Sequence, residues 1–259
     1  MNTAISKSSP IGLWALPHMM LAMFPLFVKK LIFNRDEVED FDVYPFNIPL
    51  INSLNTVEFE KPVTFIAGEN ASGKSTIIEA LALNMGLCAE GGSRNACFET
   101  QNTTSELYRY IKLVKSGFMP QWKFFLRAES FYTMANAYIE YKEDMHSCSH
   151  GEEFLQIFGK FSDRGFYLLD EPESALSPQS QMKFLCIMDK LAKNGAQFII
   201  VTHSPILLSY YDGQILDAND GLKPIAYEET DIYRIYKSFL SDPVRMQKRL
   251  FTASSPDEE

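Results

Sequence analysis

The stretch that most constrains this chain is GENASGKST, Gly68 to Thr76. It fits the pattern G-x-x-x-x-G-K-[ST], with Gly68, Gly73, Lys74 and Ser75 at the defining positions. The glycines let the backbone curl until its N–H groups point at phosphate oxygens, and the positive end of a following helix adds to the attraction. Lys74 supplies a point charge, and the Ser75 hydroxyl can ligate Mg²⁺. Glu69, Asn70, Ala71, Ser72 and Thr76 complete the segment that would surround a nucleotide's phosphates. Such a loop works only between a strand and a helix, and both are legible. Val63 to Ala67 is a short apolar run that breaks at a glycine, and GKSTIIEALALNMG reads as a helix ended by Gly86.

The rest of the chain continues that alternation. LFVKKLIF, QWKFFLRAES (stopping near Glu129), GFYLLDEP (ended by Pro172) and AQFIIVTHSP read as strands. SPQSQMKFLCIMDKLAKNG reads as a helix, with Ser177 and Pro178 at its start and Gly195 as its stop. Residues 90–106 are rich in Gly, Ser, Asn and Thr and read as a loop. Continuous Val, Ile, Leu and Phe strands between helices predict an α/β fold: a mostly parallel sheet covered on both faces. Ligands bind at the C-terminal ends of such strands. FYLLDEPES places two acids there: Asp170, suited to the Mg²⁺ shell, and Glu171, suited to polarise an attacking water. FIIVTHSP puts His203 at the tip of another strand, where it can sense a γ-phosphate.

Bulk composition sets outer limits. A length of 259 residues fits one large domain or two small ones. The net charge of −9 argues against a surface coated with basic residues for nucleic acid. Cys88, Cys97, Cys148 and Cys186 form no C-x-x-C pair, which suggests reduced thiols in a cytoplasmic protein. Ile11 to Val28 is apolar but interrupted by Pro17, His18 and Pro25. The expectation is a leader over residues 1–25 outside the core, one domain over 26–252, and a disordered acidic tail over 253–259. No membrane contact is expected.

The order of the motifs resembles the ABC-type ATPases of the P-loop class, among which bacterial members are often described as AAA-family. GENASGKST resembles the Walker A motif, YLLDEPESALSP the Walker B motif with its catalytic glutamate and D-loop, and VTHSP the switch histidine. YPFNIP, FFLRAESF, SHGEEF and THSPILL are similar to a family of small stand-alone ATPases. The resemblance implies a small antiparallel strand region and a short helical lid beside the main sheet. It implies ATP and Mg²⁺ as ligands, with Lys74, Glu171 and His203 catalytic and Ser75, Asp170 and Glu129 around the metal, Glu129 standing at the Q-loop position. Tyr44 lies where many such proteins stack adenine on an aromatic ring; a packed core tyrosine is the other reading. The signature, commonly L-S-G-G-Q, lies about twenty residues before Walker B, and Ser149 is 21 residues before Asp170. Ser149, Gly151 and Glu152 are thereby aligned with a motif that closes on ATP held by a second subunit. Cys148, His150 and Glu152 depart from its usual residues, and Ser177 stands where many D-loops have aspartate. The implied unit is a head-to-tail homodimer formed on ATP binding that engages a protein partner. The alternatives are a compact nucleic-acid-processing relative of the SMC and RecF kind and a transporter subunit.

Overall fold

A computed structural model of the chain describes residues 24–89, 91–93, 104–127 and 155–253. In chain order the elements are β1 (Val28–Phe33), α1 (Pro49–Ser53), β2 (Thr56–Glu58), β3 (Val63–Ala67), α2 (Lys74–Asn84), β4 (Gly92–Ser93), β5 (Ile111–Lys115), β6 (Trp122–Arg127), β7 (Gly165–Asp170), α3 (Pro178–Lys193), β8 (Gln197–Val201), α4 (Pro205–Leu208), β9 (Gln214–Asp217), β10 (Lys223–Pro224), α5 (Asp231–Ser241) and α6 (Pro243–Ala253). The expected strands and helices form where the apolar runs and breakers placed them. The loop expected over 90–106 contains the short strand β4, which pairs antiparallel with β6.

Seven strands form the main sheet in the order β10-β9-β3-β8-β7-β6-β4. The inner five are parallel, and only the outermost pairings are antiparallel. Strands β3, β7 and β8 are buried along their whole length, which is why their sequences run apolar without alternation. Successive side chains still go to opposite faces. Ile66, Leu168 and Ile199 meet α2 on one face, while Phe65, Tyr167 and Phe198 meet Phe184 and Met188 of α3 on the other. Helix α3 starts at Ser177, whose hydroxyl accepts from the Ser180 N–H at 3.2 Å, with Pro178 in the first turn.

The expected antiparallel region is a second sheet, β2-β1-β5. Two buried glutamines clip it to the first. Gln197 exchanges both amide hydrogen bonds with the Val28 backbone (2.9 and 2.8 Å), and Gln214 accepts from the Glu60 N–H and donates to the Glu58 carbonyl. Helix α2 is buried on nearly all sides, as a helix enclosed by the rest of the fold must be. Phe24 and Pro25, assigned by sequence to the leader, line a small cavity with Gly195 and Tyr210. The expectation of reduced thiols is corrected for Cys88, which is disulfide-bonded; Cys186 is a free, exposed thiol. The helical lid falls on residues outside those described. No helix among the described residues is long and apolar enough to cross a membrane.

Candidate active site

Strand order decides which motifs meet. β8 lies between β3 and β7, with Ile66 opposite Val201 and Val201 opposite Asp170. The segments after Ala67, Asp170 and Val201 therefore emerge side by side at one edge of the sheet.

The loop after β3 turns at Gly73, which caps α2 with φ +100°. Glycine is required there twice over. The left-handed backbone strains any other residue, and a β-carbon would sit 2.7 Å from Ile48 Cγ2. Gly68 is held by space alone, since a β-carbon would meet Ala218 Cβ at 2.7 Å. Residues 70–76, Ile48 and Glu171 surround a cleft of about 400 Å³. Lys74 is buried, and its ammonium donates to the carbonyls of Gly68 (3.0 Å) and Glu69. Burial pulls its pKa below the ordinary lysine value, while Glu171, Asp170 and other acids pull it back up.

Ser75 Oγ lies 3.4 Å from Asp170 Oδ1. Asp170 is 6 % exposed, and its pKa is raised to about 6, chiefly by burial and also by the Glu171 charge. These two oxygens suit a Mg²⁺ ion, which takes few protein ligands and completes its shell with phosphate and water. Glu171 adopts left-handed backbone angles (φ 49°, ψ 55°) between β7 and a short 3₁₀ turn, with its N–H bound to the Val201 carbonyl at 2.9 Å. Non-glycine residues rarely hold this conformation, and where they do the surrounding structure imposes it. The Glu171 carboxylate is 3.6 Å from His203 Nε2, beyond hydrogen-bond reach.

Sequence reasoning passed over Glu173. Its Oε1 accepts from the His203 N–H at 2.5 Å and so fixes the histidine's backbone. Among the described residues, its Oε2 and His203 Nε2 are buried atoms with no hydrogen-bond partner. Burial raises the Glu173 pKa and lowers that of His203. The site thus holds a neutral-leaning imidazole whose buried ring nitrogen has its capacity free, which fits a group that receives an oxyanion. The one sequence signal for Glu173 was its place in the acidic DEPE run. Behind His203, Ser204 caps α4 and donates to Gln181, which in turn donates to the Leu176 carbonyl. This chain of bonds joins the histidine loop to the segment after Glu171.

The structure brings Lys74, Ser75, Asp170, Glu171 and His203 together. Tyr44 is 63 % exposed, so the packed-core reading of that residue is corrected. It stands in the turn leading to Ile48, which walls the cleft. Glu129, Ser149, Gly151 and Glu152 lie outside the described residues.

Known proteins resemble parts of this chain. A family described as AAA domain, putative AbiEii toxin, Type IV TA system matches residues 154–209, the segment carrying Asp170, Glu171 and His203. The hemin import ATP-binding protein HmuV of Photobacterium profundum is 36 % identical over 73 residues, which are 28 % of this chain and 26 % of that protein. The chain thus spans about a quarter of that relative's length. Among solved structures, an ATP-binding cassette of an ABC transporter overlaps 85 % of this chain and 97 % of its own (20 % identity, TM-score 0.42). The SMC head domain of Thermotoga maritima overlaps 78 % and 100 % (19 % identity, TM-score 0.43). The family match and the related sequence, each covering under a third of the chain, support the resemblance of its motifs to the ABC-type P-loop ATPases.

Proposed function

We propose that this protein binds ATP with Mg²⁺, hydrolyses it, and works as an ATP-switched head-to-tail dimer that engages a protein partner. The observation that carries the proposal is the meeting of Lys74, Ser75, Asp170, Glu171 and His203 at one sheet edge. The Gly68–Ser75 loop offers its amides and the Lys74 charge to the phosphates. Ser75 and Asp170 would hold Mg²⁺, which when bound polarises phosphate oxygens. Glu171 takes a proton from the attacking water. His203 would contact the γ-phosphoryl group that is transferred from ADP to water, with Glu173 holding the histidine's backbone. Ser149 and Gly151 would close on the nucleotide of the other subunit. The short span from Glu129 to Ser149, about twenty residues, leaves little room for the larger helical subdomain on which a transporter partner docks, and favours a stand-alone role.

Glu171→Gln tests this. It keeps shape but is a far poorer base, so hydrolysis falls by about 10²-fold or more. ATP still binds, and unconsumed ATP shifts the population to dimer, read as an ATP-dependent doubling of mass by light scattering. Ser149→Arg loses dimer and hydrolysis while binding ATP through Lys74. Mixing it with Lys74→Ala restores activity, because one composite site of the mixed dimer is sound. Normal hydrolysis by monomeric Ser149→Arg would sink the two-subunit site.

A further inference from the structure

Helices α5 and α6 leave the body beyond the first turns of α5, where Ile232, Arg234 and Ile235 line a cavity of about 680 Å³ with Gly68, Asn70 and His203. Only the start of α5 is tied down: Thr230 caps it by accepting from the Tyr233 N–H (3.2 Å), Tyr227 and Tyr233 pack ring to ring, and Ile232 is half-buried against the core. No residue of α5 is buried. Beyond that foot the pair exposes Ile235 (60 %), Tyr236, Phe239, Leu240 (70 %) and Val244 (62 %). Two 11-residue helices with so little cover are marginal in water by themselves, so a partner surface is expected.

The charge of the pair is opposite to that of the chain. Residues 231–253 carry Arg234, Lys237, Arg245, Lys248 and Arg249 against Asp231 and Asp242, within a protein of net charge −9. Arg245, Lys248 and Arg249 are exposed and, among the described residues, in no ion pair. The surface that complements them is on the same chain. Between β1 and α1, Asp36, Glu37, Glu39, Asp40 and Asp42 fall within seven residues, all at least partly exposed, followed by the exposed apolar Val43 and Tyr44. Among the described residues these acids are also in no ion pair. One surface is basic and apolar, the other acidic and apolar.

We propose that the α5–α6 pair is a self-association surface whose occupant is the acidic loop 36–44 of a second copy of this chain. In a two-fold arrangement the contact forms twice, each copy giving its helix pair to the other's loop. The exposed aliphatic and aromatic side chains set the pair apart from a phosphate-binding strip. The acidic body repels an anionic membrane or nucleic acid and attracts the basic pair of another copy. This contact needs no nucleotide, which distinguishes it from the ATP-dependent closure proposed above, although Tyr44 and Ile235 both border the candidate site.

The test uses the full chain without nucleotide, followed by sedimentation over a concentration series. The wild type is expected to form dimers at roughly 0.05 M salt that weaken at least tenfold near 0.5 M, as screening shortens the reach of the charges. R245E/K248E/R249E and D36K/E39K/D40K each weaken association at least about tenfold, and circular dichroism confirms that both fold. Mixing the two variants restores a heterodimer, because each reversed surface then faces its complement. Leu240→Ser, with no charge changed, weakens association at both salt concentrations. A wild type that stays monomeric, reversals without effect, or a mixture that fails to restore association would overturn the proposal. So would binding of the wild type to phosphatidylglycerol vesicles or duplex DNA that R245E/K248E/R249E abolishes while self-association is unchanged. Nucleotide binding by Lys74 is measured separately, so failure here leaves the ATPase proposal untouched.

Discussion

Two groups of charged side chains border α2, one around Glu79 and one around Asp170, and they are built by different rules. At the flank toward residue 105, Glu79 accepts from the Ser105 N–H at 3.0 Å and pairs with Arg127 at 3.3 Å, while Arg127 also donates to the Ala89 carbonyl. Both oxygens are used, and the group joins α2, β6 and the segment before β5. At the N-terminal end of α2, Asp170, Glu171 and Glu173 crowd around Lys74 and His203, and two buried polar atoms have no partner among the described residues. Burial raises the pKa of Glu79, Asp170 and Glu173 alike. The difference is satisfaction. A buried charge with both oxygens engaged holds elements together, whereas one left short is stability forgone for a ligand.

The comparison can be broken most sharply at Lys74. Lys74→Ala removes the main cation facing the phosphates, so hydrolysis should fall on the order of 10²–10³-fold while the melting temperature changes little. Unchanged turnover would remove the loop from the site. At the other cluster, Arg127→Ala strands Glu79, and unfolding free energy should drop by about 3–5 kcal/mol. A loss well under about 1 kcal/mol in denaturant titration would show that Glu79 is solvated.

Asp170→Asn sharpens the contrast in the opposite direction. The folded carboxyl keeps its proton up to about pH 6, against an ordinary value of 3.8. The stability it contributes is therefore complete below the unfolded value and lost as pH rises through about 6. At pH 7 the neutral amide should stabilise the fold by up to about 3 kcal/mol while Mg²⁺-dependent hydrolysis is lost. The gain should vanish below about pH 3, and a melting temperature equal to wild type at both pH values would show that the carboxylate is not strained by burial. The smallest effect is expected at Ser204→Ala, which removes a helix cap at a cost of about 1 kcal/mol. Slower hydrolysis beyond that loss would mean the Ser204–Gln181 link also aligns His203.

Several features were written in local sequence. The run from Val63 to Gly86 specified a strand, a phosphate-cradling turn and a helix, because each depends on neighbours within a few residues: apolar continuity, glycine at φ +100°, and the stop at Gly86. The same held for β7, α3 and β8, whose boundaries are marked by Pro172, Ser177–Pro178 and Gly195. The candidate residues at their tips were legible for that reason. Local sequence carried no signal for what joins distant segments. Gln197 clipping Val28, Arg127 reaching Glu79, Ile48 closing on Gly73 and Glu173 holding the His203 N–H each bring together residues 25 or more positions apart. Nor could sequence say which strands are neighbours. The placement of β8 between β3 and β7 sets His203 between the Lys74 loop and Glu171, and that order comes from packing both faces of one sheet at once.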